Sequence, residues 1–515
     1  MKHTCHCGKD GHALPAVSRA LLAAAAGKAG GKTAIGSMKM SRASWLGFLS
    51  GPMVRAVQRA CKEAMLYFLG KGFTKGELKF ECPDGSVRSL GRSQASALPY
   101  QTVSLRVHDE RFFARVALEY DLGLARSFVA GEFEIAELGA DYEGLLRLFD
   151  LLMENTYKVT SMSTRGSVAS TAISSLPTAW IGSLVNAVTY FATMDNSIAN
   201  SRSHIHAHYD LSNDLFRTFL DEETMMYSCG MFEESYCPAS GRLVLSGSLA
   251  EAQERKIEAL LQRLHLGPQH TLLDIGFGWG GIAIAAAAKY GCRVHGITLS
   301  VEQKALAEER VRARGLGHLI TFELCDYRVF AKSGRVFDRI VSCEMIEAVG
   351  HAYLPSFMAA VDSLLALDGI FVMQAITMPE SRYQLYKRSA DFCNTVIFPG
   401  GCCPSLHALM DAMATQSTLH LDSCVNINLH YAHTLRLWRQ RFNASLPRVL
   451  ELGFDESFVR IWNLYLCMCE SSFSYSTINL QQITFSRTSN ASMLSKSASC
   501  PSPPLLLHVP PAPRK

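Results

Sequence analysis

"LLDIGFGWGG", residues 272–281, is an apolar run that closes on one acid, Asp274, and turns at once into glycines. Gly276, Gly278 and Gly280 let a backbone turn sharply and approach a ligand closely. The helix-prone "GGIAIAAAAKYG" that follows would offer free amides and a positive dipole to that ligand. The spacing is Gly-x-Gly-x-Gly, not the Gly-x-Gly-x-x-Gly of dinucleotide folds. Outward from this turn the texture alternates. Helix "EAQERKIEALLQRLHL" precedes it, and strands "RVHGITLS", "LITFELCD", "FDRIVSCE" and "GIFVMQAIT" follow, with helices "VEQKALAEERVRARG" and "YLPSFMAAVDSLLAL" among them. Strands separated by helices of this length predict an α/β domain of Rossmann-like type, a doubly wound, mostly parallel sheet.

A nicotinamide dinucleotide would want an acid near the end of the second strand, and "GITLS" has none. The candidates there are Thr298, Ser300 and Gln303, whose hydroxyls and amide would have to serve; Ser300 and Gln303 also read as a capping box for the next helix. In "LCDYRVF", Asp326 ends the third strand beside Tyr327 and could reach an adenine amino group, where S-adenosylmethionine enzymes carry such an acid. Further on, "VSCEMIEAVGHAY" (341–353) sets two carboxylates, Glu344 and Glu347, among apolar and small neighbours.

A chain of 515 residues is long enough for one large core and a smaller partner, and its net charge of +4 is too weak to argue for nucleic acid. Sixteen cysteines without repeated CxxC spacing suit a reduced intracellular protein better than a disulfide scaffold. Residues 1–62 hold ten Lys and Arg against the single acid Asp10, which reads as a basic low-complexity leader with organelle targeting as one option. "CHCG" near the start has no second half for a metal site. Residues 63–160 read as a small α+β domain, with "ELKFECPDGSVRSL" as a hairpin on a Pro-Asp-Gly turn and two helical stretches after it. Residues 161–203 include an uncharged segment, 166–194, broken by Pro177 and polar side chains. It suits an interfacial helix or a buried one more than a membrane span. "GPMVRAVQRACKEAMLYFLGK" is a basic amphipathic helix that could touch anionic lipid or present a solvated face. Residues 488–515 are Ser/Pro-rich and read as a disordered tail.

"HYDLSNDLF", "MMYSCGMF", "LLDIGFGWGG", "GITLSVEQ", "CDYRVF", "SCEMIEAVGH", "IFPGGCCPS" and "HYAHTLRLWRQRF", in that order over 204–487, resemble the cyclopropane-fatty-acyl-phospholipid synthase family, which includes the mycolic acid cyclopropane synthases. "VALEYDLGLARSFVAGEFEI" resembles the lipid-binding-like amino-terminal domain of the same enzymes. "MPESRYQLYKRSADF" looks like the plant-type subgroup, whose members often carry a flavin-oxidase-like domain ahead of this unit. This chain has none, which suggests a shorter form or an incomplete gene product.

The resemblance implies a class I S-adenosylmethionine-dependent methyltransferase acting on the cis double bond of a phospholipid acyl chain. The family's carbocation is deprotonated by bound bicarbonate, giving a cyclopropane ring. By block, Cys229, Glu347, Tyr431, Gln374 and the backbone of Ile376 are the implied bicarbonate ligands; bacterial members have histidine where Gln374 stands. Tyr227 and Ser228 would line the cofactor together with Asp274, the three glycines, Thr298, Leu299, Gln303, Asp326 and Tyr327. His208, Tyr209, Asp210 and Asn213 would shape a lid. Cys469 aligns with a cysteine proposed as a nucleophile, although the carbocation scheme needs no such group, and a structural role is the preferred reading. His204, His206 and His208 do not share one helical face, so no metal is expected. Glu344 has no block match and reads as a structural or cofactor-side acid. The likeness further implies unsaturated membrane phospholipids as partners, a cytoplasmic protein peripheral to the membrane, and a homodimer. Open alternatives are a methyl- or methylene-branched product, a small-molecule N-methyltransferase, and a lipid-binding protein with a vestigial cofactor fold.

Overall fold

The computed structural model describes residues 51–91, 102–164, 190, 194, 196–198, 200, 201, 211–238 and 241–493. The leader up to residue 50, most of 165–210 with its histidine triplet, and the tail beyond 493 lie outside the described residues.

A helix at Gly51–Gly72 opens the described chain and runs through the boundary expected at residue 62; Cys61 on it is buried with Ala114 and Leu118. The predicted hairpin forms from β1 (Glu77–Glu81) and β2 (Val87–Gly91), antiparallel in register, with Gly85 at φ 79° in the turn. β3 (Thr102–Val107) pairs parallel with β1, and β4 (Phe133–Ile135) pairs antiparallel with β3, which completes a four-stranded sheet. The helices Arg111–Val129 and Glu143–Thr164 cover it. The first of these breaks at Tyr120 (φ 54°, ψ −125°), and the Asp121 carboxylate beyond the break accepts from the Phe392 amide at 2.9 Å, tying this unit to the larger one.

A short hairpin, β5 (Glu233–Cys237) and β6 (Arg242–Ser246), leads into the large sheet. There β7 (Thr271–Ile275), β8 (Arg293–Thr298), β9 (Ile320–Leu324), β10 (Phe337–Cys343) and β11 (Leu365–Thr377) are parallel to their neighbours. β13 (Asn479–Arg487) is antiparallel to β11, and β12 (Leu419–Asn426) is antiparallel to β13. The order is β12-β13-β11-β10-β7-β8-β9, so the direction of winding reverses between β7 and β10. Open α/β sheets bind ligands at the carboxyl ends of strands at that reversal. The expected mostly parallel, doubly wound architecture is therefore present, and every strand read from the alternating texture is found.

The chain beyond β13 stays packed as far as the described residues go, with Asn490 donating to the Gly369 carbonyl at 2.7 Å. All thirteen described cysteines are free thiols. Among the described residues no helix is long and apolar enough to cross a membrane.

Candidate active site

β7 carries Asp274 to the floor of the reversal, in register with Val341 of β10 and Gly296 of β8. The acid is buried, and neither carboxylate oxygen has a partner. Burial pushes its pKa up to about 7, against the pull of the Lys256 ammonium. The three glycines after it all have positive φ. A Cβ on Gly276 would lie 2.7 Å from Met345 Cγ, whereas one on Gly278 would meet nothing, so the loop at 278 faces open space. Gly280 ends the loop at φ 82° and caps the helix Gly281–Tyr290.

Nine of the eleven residues expected at the cofactor line one cleft here: Tyr227, Ser228, Gly276, Gly278, Thr298, Leu299, Gln303, Asp326 and Tyr327. Asp274 and Gly280 frame the loop behind it. An unpaired buried carboxylate beside an open glycine turn suits a polar ligand that donates hydrogen bonds, so these residues fit a nucleoside-bearing methyl donor. Ser300 holds both expected roles in part. Its hydroxyl accepts from the Gln303 amide at 3.2 Å, but the Gln303 carboxamide turns to Thr298 Oγ1 at 3.1 Å and leaves the capping box half made. Asp326 faces the cleft while both its oxygens accept from Arg328, at 2.9 and 2.7 Å.

The two glutamates separate in a way that differs from the expectation. Cys229, Gln374 and Tyr431 converge on Glu344, not on Glu347. The Cys229 amide (3.0 Å) and Gln374 Nε2 (2.7 Å) donate to one oxygen, and the Tyr431 hydroxyl donates to the other at 2.5 Å. The Cys229 contribution is its backbone N–H; the thiol points to the Gly230 carbonyl and lies 3.8 Å from the Thr434 hydroxyl. Gln374 is aimed by Gln482, which donates to its carbonyl oxygen at 2.9 Å from the register-matched position on β13. Glu347 instead accepts from the Ile376 amide at 2.5 Å, and its second oxygen is buried without a partner. Of the two acids, only Glu344 lines the cofactor cleft.

The reason is local geometry. β10 leaves the sheet after Cys343, and Glu344 turns at φ 49° while its amide donates to the Gln374 carbonyl at 2.8 Å. That turn projects Glu344 into the cleft and sends Glu347, one short 3-10 turn later, behind it. Burial raises both carboxyls; Glu347 reaches about 8 because Glu344 adds like-charge repulsion and only backbone amides oppose it. Three donors and the nearby Lys256 favour the ionised form at Glu344.

Lys256 is a site residue that the sequence reading missed. It is fully buried, donates to Ser228 Oγ at 2.7 Å, and sits on the inward stripe of the helix Leu249–Arg263 with Ala252, Gln253 and Leu260. A lysine in an apolar stripe was the available signal. Aromatic side chains pack against one another beside Glu344. Tyr227 packs against Trp438 (centroids 5.2 Å apart) and Tyr431 stacks on Phe473 at 4.4 Å. Asn213, expected in the lid block, accepts from Trp279 Nε1 at 2.7 Å. Cys469 does not line the cleft; it lies half-buried on the helix Glu456–Ser474, next to Cys393.

A family model described as mycolic acid cyclopropane synthetase matches residues 196–483. The tuberculostearic acid methyltransferase UfaA1 of Mycobacterium tuberculosis is 42% identical over 57% of this chain and 67% of its own length. The cyclopropane-fatty-acyl-phospholipid synthase of Escherichia coli K12 is 31% identical over 74% of this chain and 87% of its own. Among solved structures, coclaurine N-methyltransferase bound to N-methylheliamine and SAH aligns with 71% of this chain and 99% of its own at TM-score 0.50 and 16% identity, a likeness of fold.

Proposed function

Because the chain belongs to the mycolic acid cyclopropane synthetase family and is an S-adenosylmethionine-dependent methyltransferase, we propose that its acceptor is the cis double bond of an unsaturated phospholipid acyl chain and its product a cyclopropane ring. S-adenosylmethionine, when bound, supplies an electrophilic methyl group. The glycine turn, Asp274 and the Thr298–Gln303 pair are the groups that would hold it. An alkene is a weak nucleophile, so the protein's work is to orient, to exclude water and to remove one proton late.

The observation that carries this reading is the aromatic wall around a buried acid. Tyr227 lines the cleft and packs on Trp438, and Tyr431, which donates to Glu344, packs against Trp438 and Phe473, so the acid sits among aromatic rings of the kind that stabilise positive charge without trapping it.

Membrane lipid as the acceptor is supported by the helix Gly51–Gly72, whose exposed face carries Arg55, Arg59 and Lys71, with Tyr67 65% exposed beneath the Lys71 ammonium. A second reading stops before ring closure and yields a methyl- or methylene-branched chain; a relative 42% identical to this chain carries the name of a methyltransferase. Incubation with methyl-labelled donor and dioleoyl phospholipid vesicles, followed by lipid mass spectrometry, separates the outcomes. A cyclopropane chain is expected, a branched chain supports the second reading, and label in neither overturns both.

A further inference from the structure

Three of the five residues that resemblance assigns to a bound bicarbonate already engage a protein carboxylate. Glu344 takes the Cys229 N–H and the Gln374 amide on one oxygen and the Tyr431 hydroxyl on the other. A side-chain carboxylate and a bicarbonate present the same O–C–O edge, and one set of donors holds one anion. A second anion there would face both the occupied donors and the charge of the first. The backbone at Glu344 is held at φ 49°, a conformation unfavourable for a non-glycine residue that persists where surrounding contacts enforce it. Here the contact is the Glu344 amide on the Gln374 carbonyl, at 2.8 Å. The acid is thus aimed into the cleft from the same strand end that supplies its amide donor.

Resting on the proposed alkene methylation, we infer that the Glu344 carboxylate is itself the proton acceptor that closes the ring, in place of bicarbonate. The transferred methyl forms a carbon–carbon bond with one alkene carbon, and the bond from that methyl to sulfur breaks with its electrons staying on sulfur. The neighbouring carbon is left cationic. A Glu344 oxygen then takes one proton from the new methyl, and the released C–H electron pair forms the third ring bond. The protonated Glu344 returns its proton to water once product leaves. Glu347 lies behind it, held by the Ile376 amide.

The test pairs a binding readout with turnover, using the full chain. Carbon-13 NMR of labelled bicarbonate is expected to show no bound resonance with the wild type and a bound one with Glu344→Gly, in which the three donors are released. With vesicle substrate, wild-type turnover is expected to be unchanged in carbonate-free buffer. Glu344→Gln is expected to lose about 10²–10⁴-fold in kcat, with cofactor affinity by calorimetry within about threefold. Glu344→Gly is expected to regain activity with bicarbonate or formate. Bicarbonate bound to the wild type, wild-type turnover that requires it, or a Glu344→Gln variant at wild-type rate each overturns the inference. A wild type inert towards lipid overturns the proposed function instead, and bicarbonate binding still decides the role of Glu344.

Discussion

At the scale of single residues, two acids three positions apart are told apart by their donors. Glu347 has no side-chain donor, and its carboxyl is pushed up to about 8 by burial and by Glu344. A folded-state pKa above the ordinary value means that the folded protein holds the proton more tightly. Stability from this group is then complete below about 4.5 and is lost as pH rises towards 8. Asp274, raised to about 7, acts in the same sense over part of that window. The melting temperature is expected to fall between pH 5 and 8, and Glu347→Gln to make that slope shallower; an unchanged slope in a thermal series would refute the assignment. Cys229 is the opposite case. Because its backbone supplies the hydrogen bond, Cys229→Ser is expected to keep kcat/KM within about threefold. A large loss would return the role to the thiol.

At the scale of elements, the strand-to-helix turn after β7 divides its work between glycines. Gly276 has no room for a Cβ against Met345, while Gly278 has room but faces the cleft. Gly278→Ala is therefore expected to cost stability only about 1 kcal/mol for its left-handed φ, yet to weaken S-adenosylmethionine binding at least tenfold by calorimetry. Gly276→Ala is expected to lower both. The strands and helices around this turn were legible because apolar alternation and glycine punctuation are local signals. The half-made capping box was not, since Thr298 competes for the Gln303 side chain only once β8 and its following helix are in place.

At the scale of the molecule, the small unit and the large one meet along the helix Glu456–Ser474. Glu470 on that helix is buried and pairs with Arg439 at 3.0 Å, and Arg439 also donates to the Asp141 carbonyl of the small unit. Removing one partner of a buried pair strands the other, at a cost of about 3–5 kcal/mol. Glu470→Ala is therefore expected to lower the melting temperature by roughly 10 °C. A shift within a degree or two would show that solvent reaches the pair.

The order of apolar strands, the acid and glycines of residues 272–281, and the sequence blocks from 204 to 487 determined the α/β fold and the cofactor cleft, because each signal lies within one short stretch of chain. Which glutamate meets Cys229, Gln374 and Tyr431 was settled elsewhere. Those residues come from a loop, a central strand and a distant helix, and block matching favoured Glu347. Only the packed sheet, with β10 ending in a left-handed turn beside Gln374, sends Glu344 into their midst, since a side chain's direction at a strand end depends on the neighbouring strand that fixes its backbone.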